Sequence, residues 1–267
     1  MLLNRRALLL SGLALPAAAA AAPAPTAGQL TLAAASDLRF VLDELVRDFR
    51  ATRAQARVEV VYGSSGKLSA QIQNGAPFDI FFSADQAYAL ALRRLNLTHG
   101  AVTPYAVGQL VLWSLDPELA RLGLDDVVRH PRVKRFAIAN PEHAPYGQRA
   151  MEVLRHRGLL DPAQHKLVLG DNASQAAQFV QSGAAQAGLV SAALVLGPTL
   201  AGQGSWTPVP KDWYSPLVQS LVVLRRAAAS TLAEELLQHL QTPPAQALWR
   251  RYGFALPQPT GHSGARP

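Results

Sequence analysis

Three stretches decide the fold: Leu30-Thr-Leu-Ala-Ala-Ala35, Val58-Glu-Val-Val-Tyr62, and the amphipathic run between them. In that run Leu38, Val41, Leu42, Leu45, Val46 and Phe49 recur at helical spacing. Each apolar strand ends in small polar residues, Ser36-Asp37 after the first and Gly63-Ser-Ser-Gly66 after the second. Strand, helix and strand in this order make a parallel βαβ unit, because parallel strands need a crossover and a helix supplies it.

Working outward, the alternation continues. Further strands are expected at 78–82, 109–113, 135–139, 166–169, 187–190 and 217–224, and helices at 67–74, from Asp85 to about Leu95, up to Gly158, and at 173–181, 230–240 and 244–251. The implied class is α/β. A chain of 267 residues holds one large or two small domains, at about 150 residues each. With 49% hydrophobic and 16% charged residues it is too apolar to be disordered. Zero cysteine excludes a disulfide framework, thiolate metal sites and thiol nucleophiles.

Residues 1–28 have the layout of a secretory signal peptide. A basic start (Arg5, Arg6) precedes an apolar run from Ala7 to Leu15, then a small-residue stretch suited to cleavage between Ala20 and Gly28. The run is interrupted by Gly12 and ended by Pro16, well short of the ~20 apolar residues a membrane span needs. Arg5-Arg6-Ala-Leu-Leu-Leu also resembles a twin-arginine export signal. Removal of the leader takes the formal net charge from +7 to +5. The tail, 258–267, is expected to be disordered, and no later segment is apolar enough to span a membrane.

Four strand-to-helix junctions share one character. They are Ala35-Ser36-Asp37, Gly63-Ser64-Ser65-Gly66, Ala144-Pro145-Tyr146-Gly147 and Asp171-Asn172-Ala173-Ser174. A helix N-terminus carries unpaired N–H groups and about half a positive charge, so it attracts anions. In parallel sheets these junctions lie at the carboxyl ends of strands, the edge where α/β proteins bind ligands. Several converging there make an anion site from neutral donors alone. Any one serine at such a position is ordinarily only a cap.

These segments, with Asn74-Gly-Ala-Pro-Phe-Asp-Ile80, Phe82-Ser-Ala-Asp85, Asn140-Pro-Glu-His-Ala-Pro-Tyr-Gly147 and Arg251-Tyr-Gly-Phe254, resemble the periplasmic molybdate-binding proteins of ABC importers, from about Leu30 to Leu256. The resemblance implies a two-lobed, type II periplasmic binding fold, with mixed, mostly parallel sheets flanked by helices and a tetrahedral oxyanion in the cleft. It divides the chain into lobe one, 29–108 plus 219–257, and lobe two, 109–218. It puts the ligand positions on Ser36, Ser65, Tyr146, Ala173 and Ser191, as donors to the oxygens of molybdate or tungstate, with no cation ligands and no resident cofactor. Ser191 stands where well-known members place a tyrosine. A serine hydroxyl stops short of where a phenol reaches, so the Tyr146 phenol, Asn172 or water are the alternatives there. The implied partners are a small oxyanion and the permease subunits of a membrane importer; the implied setting is the periplasm, and the implied state a monomer.

Three side chains near the junctions carry separate expectations. Asp37 should point away from an anion and cap the helix dipole. Lys67 and Arg149, one turn into their helices, could strengthen the field at the site, although long cations in such places are usually solvated. An all-donor site favours an oxyanion without protons over a protonated phosphate, which needs an acceptor.

Rival chemistries find less support. A receptor for another oxyanion such as sulfate is the alternative within the class. An exported serine hydrolase using Ser65 is the alternative outside it, but Gly63-Ser-Ser-Gly66 lacks the G-x-S-x-G spacing. His143 beside Glu142 has no third metal ligand nearby, and His130, His156 and His165 fall in loops or at helix ends. The basic residues are dispersed, with only pairs such as Arg93-Arg94, Arg225-Arg226 and Arg250-Arg251, and the four tryptophans stand apart, so no nucleic-acid surface is expected.

Overall fold

The computed structural model describes residues 28–257. The expected leader, apart from Gly28, and the expected disordered tail lie outside the described residues. The chain runs β1 (Gln29–Ala35), a 3-10 turn (Ser36–Leu38), α1 (Arg39–Ala51), β2 (Arg57–Gly63), α2 (Ser65–Gln73), β3 (Ile80–Ser83), α3 (Gln86–Arg94) and β4 (Thr98–Gly108). It continues with β5 (Leu110–Ser114), α4 (Leu124–Arg129), β6 (Phe136–Ala139), α5 (Pro145–His156), α6 (Leu160–Gln164), β7 (Leu167–Gly170), α7 (Ala173–Gln181), β8 (Ala187–Ser191), α8 (Ala192–Val195) and β9 (Ser205–Pro208). It closes with β10 (Leu217–Leu224), α9 (Thr231–Leu240) and α10 (Pro243–Arg251).

Two five-stranded sheets result, in orders β2-β1-β3-β10-β4 and β7-β6-β8-β5-β9. In the first, only β10 runs against the other four strands; in the second, only β5 does. The chain passes between the sheets twice, from β4 to β5 through Gln109 and from β9 back to β10. The two sheets therefore have the same layout, each with its antiparallel strand joined to a crossover.

Packing explains the layout. The apolar stripe of α1, Val41, Leu42, Leu45, Val46 and Phe49, is buried against one face of the first sheet with Trp249 and Phe254. The other face takes Leu68, Ile72, Phe78 and Leu92. A third cluster, around Trp113, Phe136 and Leu154, fills the second lobe; it also takes in Ala35 and Ala84 from the first, so the lobes are in contact.

Strand β4 was not among the strands expected from sequence. It carries Gly100 and Pro104 and exposes much of its length, and its register with β10 shifts twice, so neither alternation nor an apolar run marks it. The short β9, α4, α6 and α8 were likewise unforeseen, being too brief for periodicity to register.

Candidate oxyanion site

The four junctions meet. Ala35, Ser36, Asp37, Gly63, Ser64, Ser65 and Ala84 from one side, and Ala144, Pro145, Tyr146 and Ala173 from the other, line one narrow cleft. A roomier hollow under β4 and β10, lined by Leu237, Leu240 and Trp249, is mostly apolar and gathers no helix N-termini.

Each junction presents its donors for a local reason. Ser64 is extended and serves as the N-cap, so α2 begins at Ser65, two residues before the expected start. The Ser65 N–H therefore falls in a first turn, where no intrahelical acceptor exists. The Ser65 hydroxyl oxygen accepts from the Ala84 N–H at 3.0 Å, which leaves its proton free to donate. In α5, Pro145 occupies the first position with φ already set, so the first available N–H is that of Tyr146. Gly147 brings this turn flush onto the end of β6, because a Cβ there would be driven into the Ala139 carbonyl. In α7 the Asn172 side chain caps by accepting from the Gln175 N–H at 3.1 Å, and Ala173 opens the helix.

The lobes are closed on one another. The Ser174 N–H donates to the Ser36 hydroxyl oxygen at 3.1 Å, and the Ser174 hydroxyl donates to the Ser36 carbonyl at 2.9 Å. The Gly66 N–H donates to the His143 carbonyl at 2.9 Å, an approach that only glycine permits, since a Cβ would sit 2.7 Å from that oxygen. Lys67 pairs with Asp171 across the cleft. Arg149 pairs with Asp85 at 2.5 Å, both side chains nearly buried, and with Glu152 at 3.0 Å. Lys67 is exposed, as expected, though paired; the expectation that Arg149 is solvated is corrected, because its side chain is nearly buried between Asp85 and Glu152.

Of the five expected ligand positions, the structure gathers Ser36, Ser65, Tyr146 and Ala173 around the cleft. Ser191 does not line it. Its hydroxyl is fully buried at the end of β8, against the Tyr146 phenol. The Tyr146 ring instead reaches from α5 to the crossover strands. Its hydroxyl accepts from Gln219 Nε2 at 3.4 Å and abuts Gly108, where a Cβ would clash with it.

Asp37 departs most from expectation. It does lie in a first turn, that of the 3-10 helix leading into α1, but it makes no capping hydrogen bond there. It is 1% exposed, and its Oδ2 accepts from Gln219 Nε2 at 2.6 Å. Gln219 is fixed in turn by the Tyr105 hydroxyl, which donates to its Oε1 at 2.9 Å. Burial pushes the Asp37 carboxyl up to about 6, against the weaker opposing pulls of the Gln219 amide and the Tyr146 phenol. Burial likewise holds the Tyr146 phenol well above its ordinary value, so it stays a neutral donor. Sequence reasoning had no signal for Gln219, a lone glutamine in an apolar strand.

Comparisons with known proteins agree with this architecture. The profile of the bacterial extracellular solute-binding proteins matches residues 30–255. The molybdate-binding protein ModA of Rhodobacter capsulatus is 37% identical over 92% of this chain and 92% of its own. The crystal structure of the periplasmic molybdate-binding protein of Azotobacter vinelandii superposes with a TM-score of 0.78 and 33% identity, covering 86% of this chain and all of that one. The sulfate-binding protein SubI of Mycobacterium tuberculosis, at 16% identity and a TM-score of 0.68 over 86% of this chain and 88% of that one, shares the fold alone. With the same two-lobed architecture and a matching profile over nearly all described residues, the chain belongs to the bacterial extracellular solute-binding proteins, in the family that contains the molybdate-binding proteins.

Proposed function

We propose that this chain is an extracytoplasmic receptor that captures molybdate or tungstate between its lobes and delivers it to the permease of an ABC importer. The observation that carries the reading is the convergence of four junctions, two from each sheet, on one small cleft. The oxyanion oxygens would take the Ser36 and Ser65 hydroxyls and the N–H groups of Ser65, Tyr146 and Ala173, with the Tyr146 phenol in the place that Ser191 is too short to reach. The lobes would divide as 29–108 with 219–257, and 109–218. Export by a cleaved leader places the mature chain in the periplasm, and among the described residues no helix is long and apolar enough to cross a membrane.

The reading is of a binder rather than a catalyst. The Ser65 oxygen is engaged by the Ala84 N–H, and among the described residues no imidazole hydrogen-bonds Ser64 or Ser65. A serine nucleophile needs such a base. The names of the relatives support the choice of oxyanion.

Calorimetric titration with molybdate, tungstate, sulfate and phosphate tests the proposal. Molybdate and tungstate should each saturate one site per chain, with sulfate at least tenfold weaker. Absence of binding by both molybdate and tungstate would refute it.

A further inference from the structure

A site of neutral donors has no evident use for a carboxylate, yet Asp37 lines the cleft. Its Oδ2 is engaged by Gln219, while Oδ1 is buried with no hydrogen-bond partner. An unpaired buried carboxylate oxygen is costly, because water has been removed and nothing replaces it. Among the described residues no cation compensates. The groups that face Asp37 are the Gln219 amide from β10, the Tyr146 phenol from α5 and the Tyr105 phenol from β4, all neutral. The segments of α7 and α8 packed on its turn offer Ala173, Ser174 and Ala192–Val195, none charged. Arg39, two residues on, is exposed and lies against the Tyr62 ring. Lys67 and Arg149 are held by Asp171 and Asp85.

We propose that Asp37 belongs to the oxyanion site and that a bound dianion shares one proton with its Oδ1, so that each capture takes up one proton from solvent. The inference rests on the function proposed above and adds to it a specificity-determining residue. The balance is simple: a dianion, the Asp37 carboxylate and one solvent proton give a complex with an O–H···O bond between the carboxyl group and an oxyanion oxygen. No covalent bond to the ligand's central atom forms or breaks. Two like charges in van der Waals reach inside a dry cleft would repel strongly, and a single proton between them converts that repulsion into a hydrogen bond. The arriving dianion raises the proton affinity of Asp37 in the same sense as its burial already does.

The consequence for pH follows. Below about pH 6 the free protein already holds the proton, and binding takes up none. Above it the proton must come from solvent, so affinity falls as pH rises, approaching tenfold per unit. His143 also lies at this cleft, its Nε2 3.9 Å from Asp171.

Titration of the full chain with molybdate between pH 5 and 8.5, in pairs of buffers with different ionisation enthalpies, counts the protons directly. Uptake should approach one at pH 8 and fall toward zero at pH 5. In Asp37→Asn the uptake and the slope should vanish, whatever its absolute affinity. A molybdate affinity in the unaltered chain that ignores pH, or a slope that survives in Asp37→Asn, overturns the proton-sharing role. No molybdate binding at any pH overturns this inference together with the receptor reading.

Discussion

The two lobes offer sheets of the same order to the cleft but different chemistry. The first lobe brings side-chain hydroxyls, Ser36 and Ser65, each with its oxygen already engaged by a backbone or neighbouring N–H and its proton free. The second lobe brings first-turn backbone N–H groups, at Tyr146 and Ala173, and a phenol anchored against the crossover strands. Backbone donors survive any substitution that preserves the helix, whereas hydroxyls are removed by a single atom change. The half of the site that mutation can erase is therefore the first lobe's. The second lobe is changed instead through the residues that seat its helices, such as Gly147.

The sharpest way to break this comparison is Ser36→Ala with Ser65→Ala. Two hydrogen bonds to a charged ligand contribute about 1.5–3 kcal/mol each, so molybdate affinity should fall at least about a hundredfold by calorimetry. Neither alanine introduces a steric clash, but each leaves a backbone N–H, that of Ser174 or Ala84, without its acceptor, so melting should fall by about 5–15 °C with the fold retained. A loss below tenfold would shift the weight to the second lobe.

Tyr146→Phe keeps the backbone N–H and removes only the phenol. The expected cost is about 1.4 kcal/mol, a tenfold rise in Kd. An unchanged Kd would mean the phenol serves Gln219 and the crossover alone.

A smaller effect is expected from Asp85→Asn. Arg149 keeps Glu152, whose other oxygen accepts the Ser215 N–H at 2.6 Å near the crossover into β10, so the closed state loses one link of a longer chain. The loss should be about 1 kcal/mol and appear in the molybdate dissociation rate, measured by stopped-flow, rather than in association. An effect confined to association would place Asp85 in steering instead.

Smallest of all should be Ser191→Ala. The hydroxyl lies off the cleft, so the change in affinity should stay within about 0.5 kcal/mol. A tenfold loss would bring Ser191 back among the ligand positions.

What was legible in the sequence was local. The helical stripe of α1 and the small residues at Ser36, Ser65 and Ala173 mark strand ends and helix starts within windows of a few residues, and the sheets and the cleft follow from their order. Long-range pairing left no such mark. Asp37 meets Gln219 across 182 positions and Asp85 meets Arg149 across 64, and no periodicity connects such partners. Asp37 was accordingly read as a cap and Arg149 as solvated, the bland fate of a charged residue near a helix start. Ser191 could be placed at the end of its strand, but whether its hydroxyl or the Tyr146 phenol faced the cleft depended on how α5 packs over Gly108, a contact between residues 38 positions apart. The irregular β4 escaped notice because proline, glycine and exposed faces erase the alternation that identifies strands.

The central claim, an oxyanion held jointly by both lobes at these junctions, is tested most directly by crystallising the chain with molybdate and locating the molybdenum by anomalous scattering. The account predicts one peak in the cleft, its oxygens within hydrogen-bond distance of the Ser36 and Ser65 hydroxyls and the Tyr146 and Ala173 N–H groups. A peak elsewhere, or contacts to one lobe alone, would contradict it.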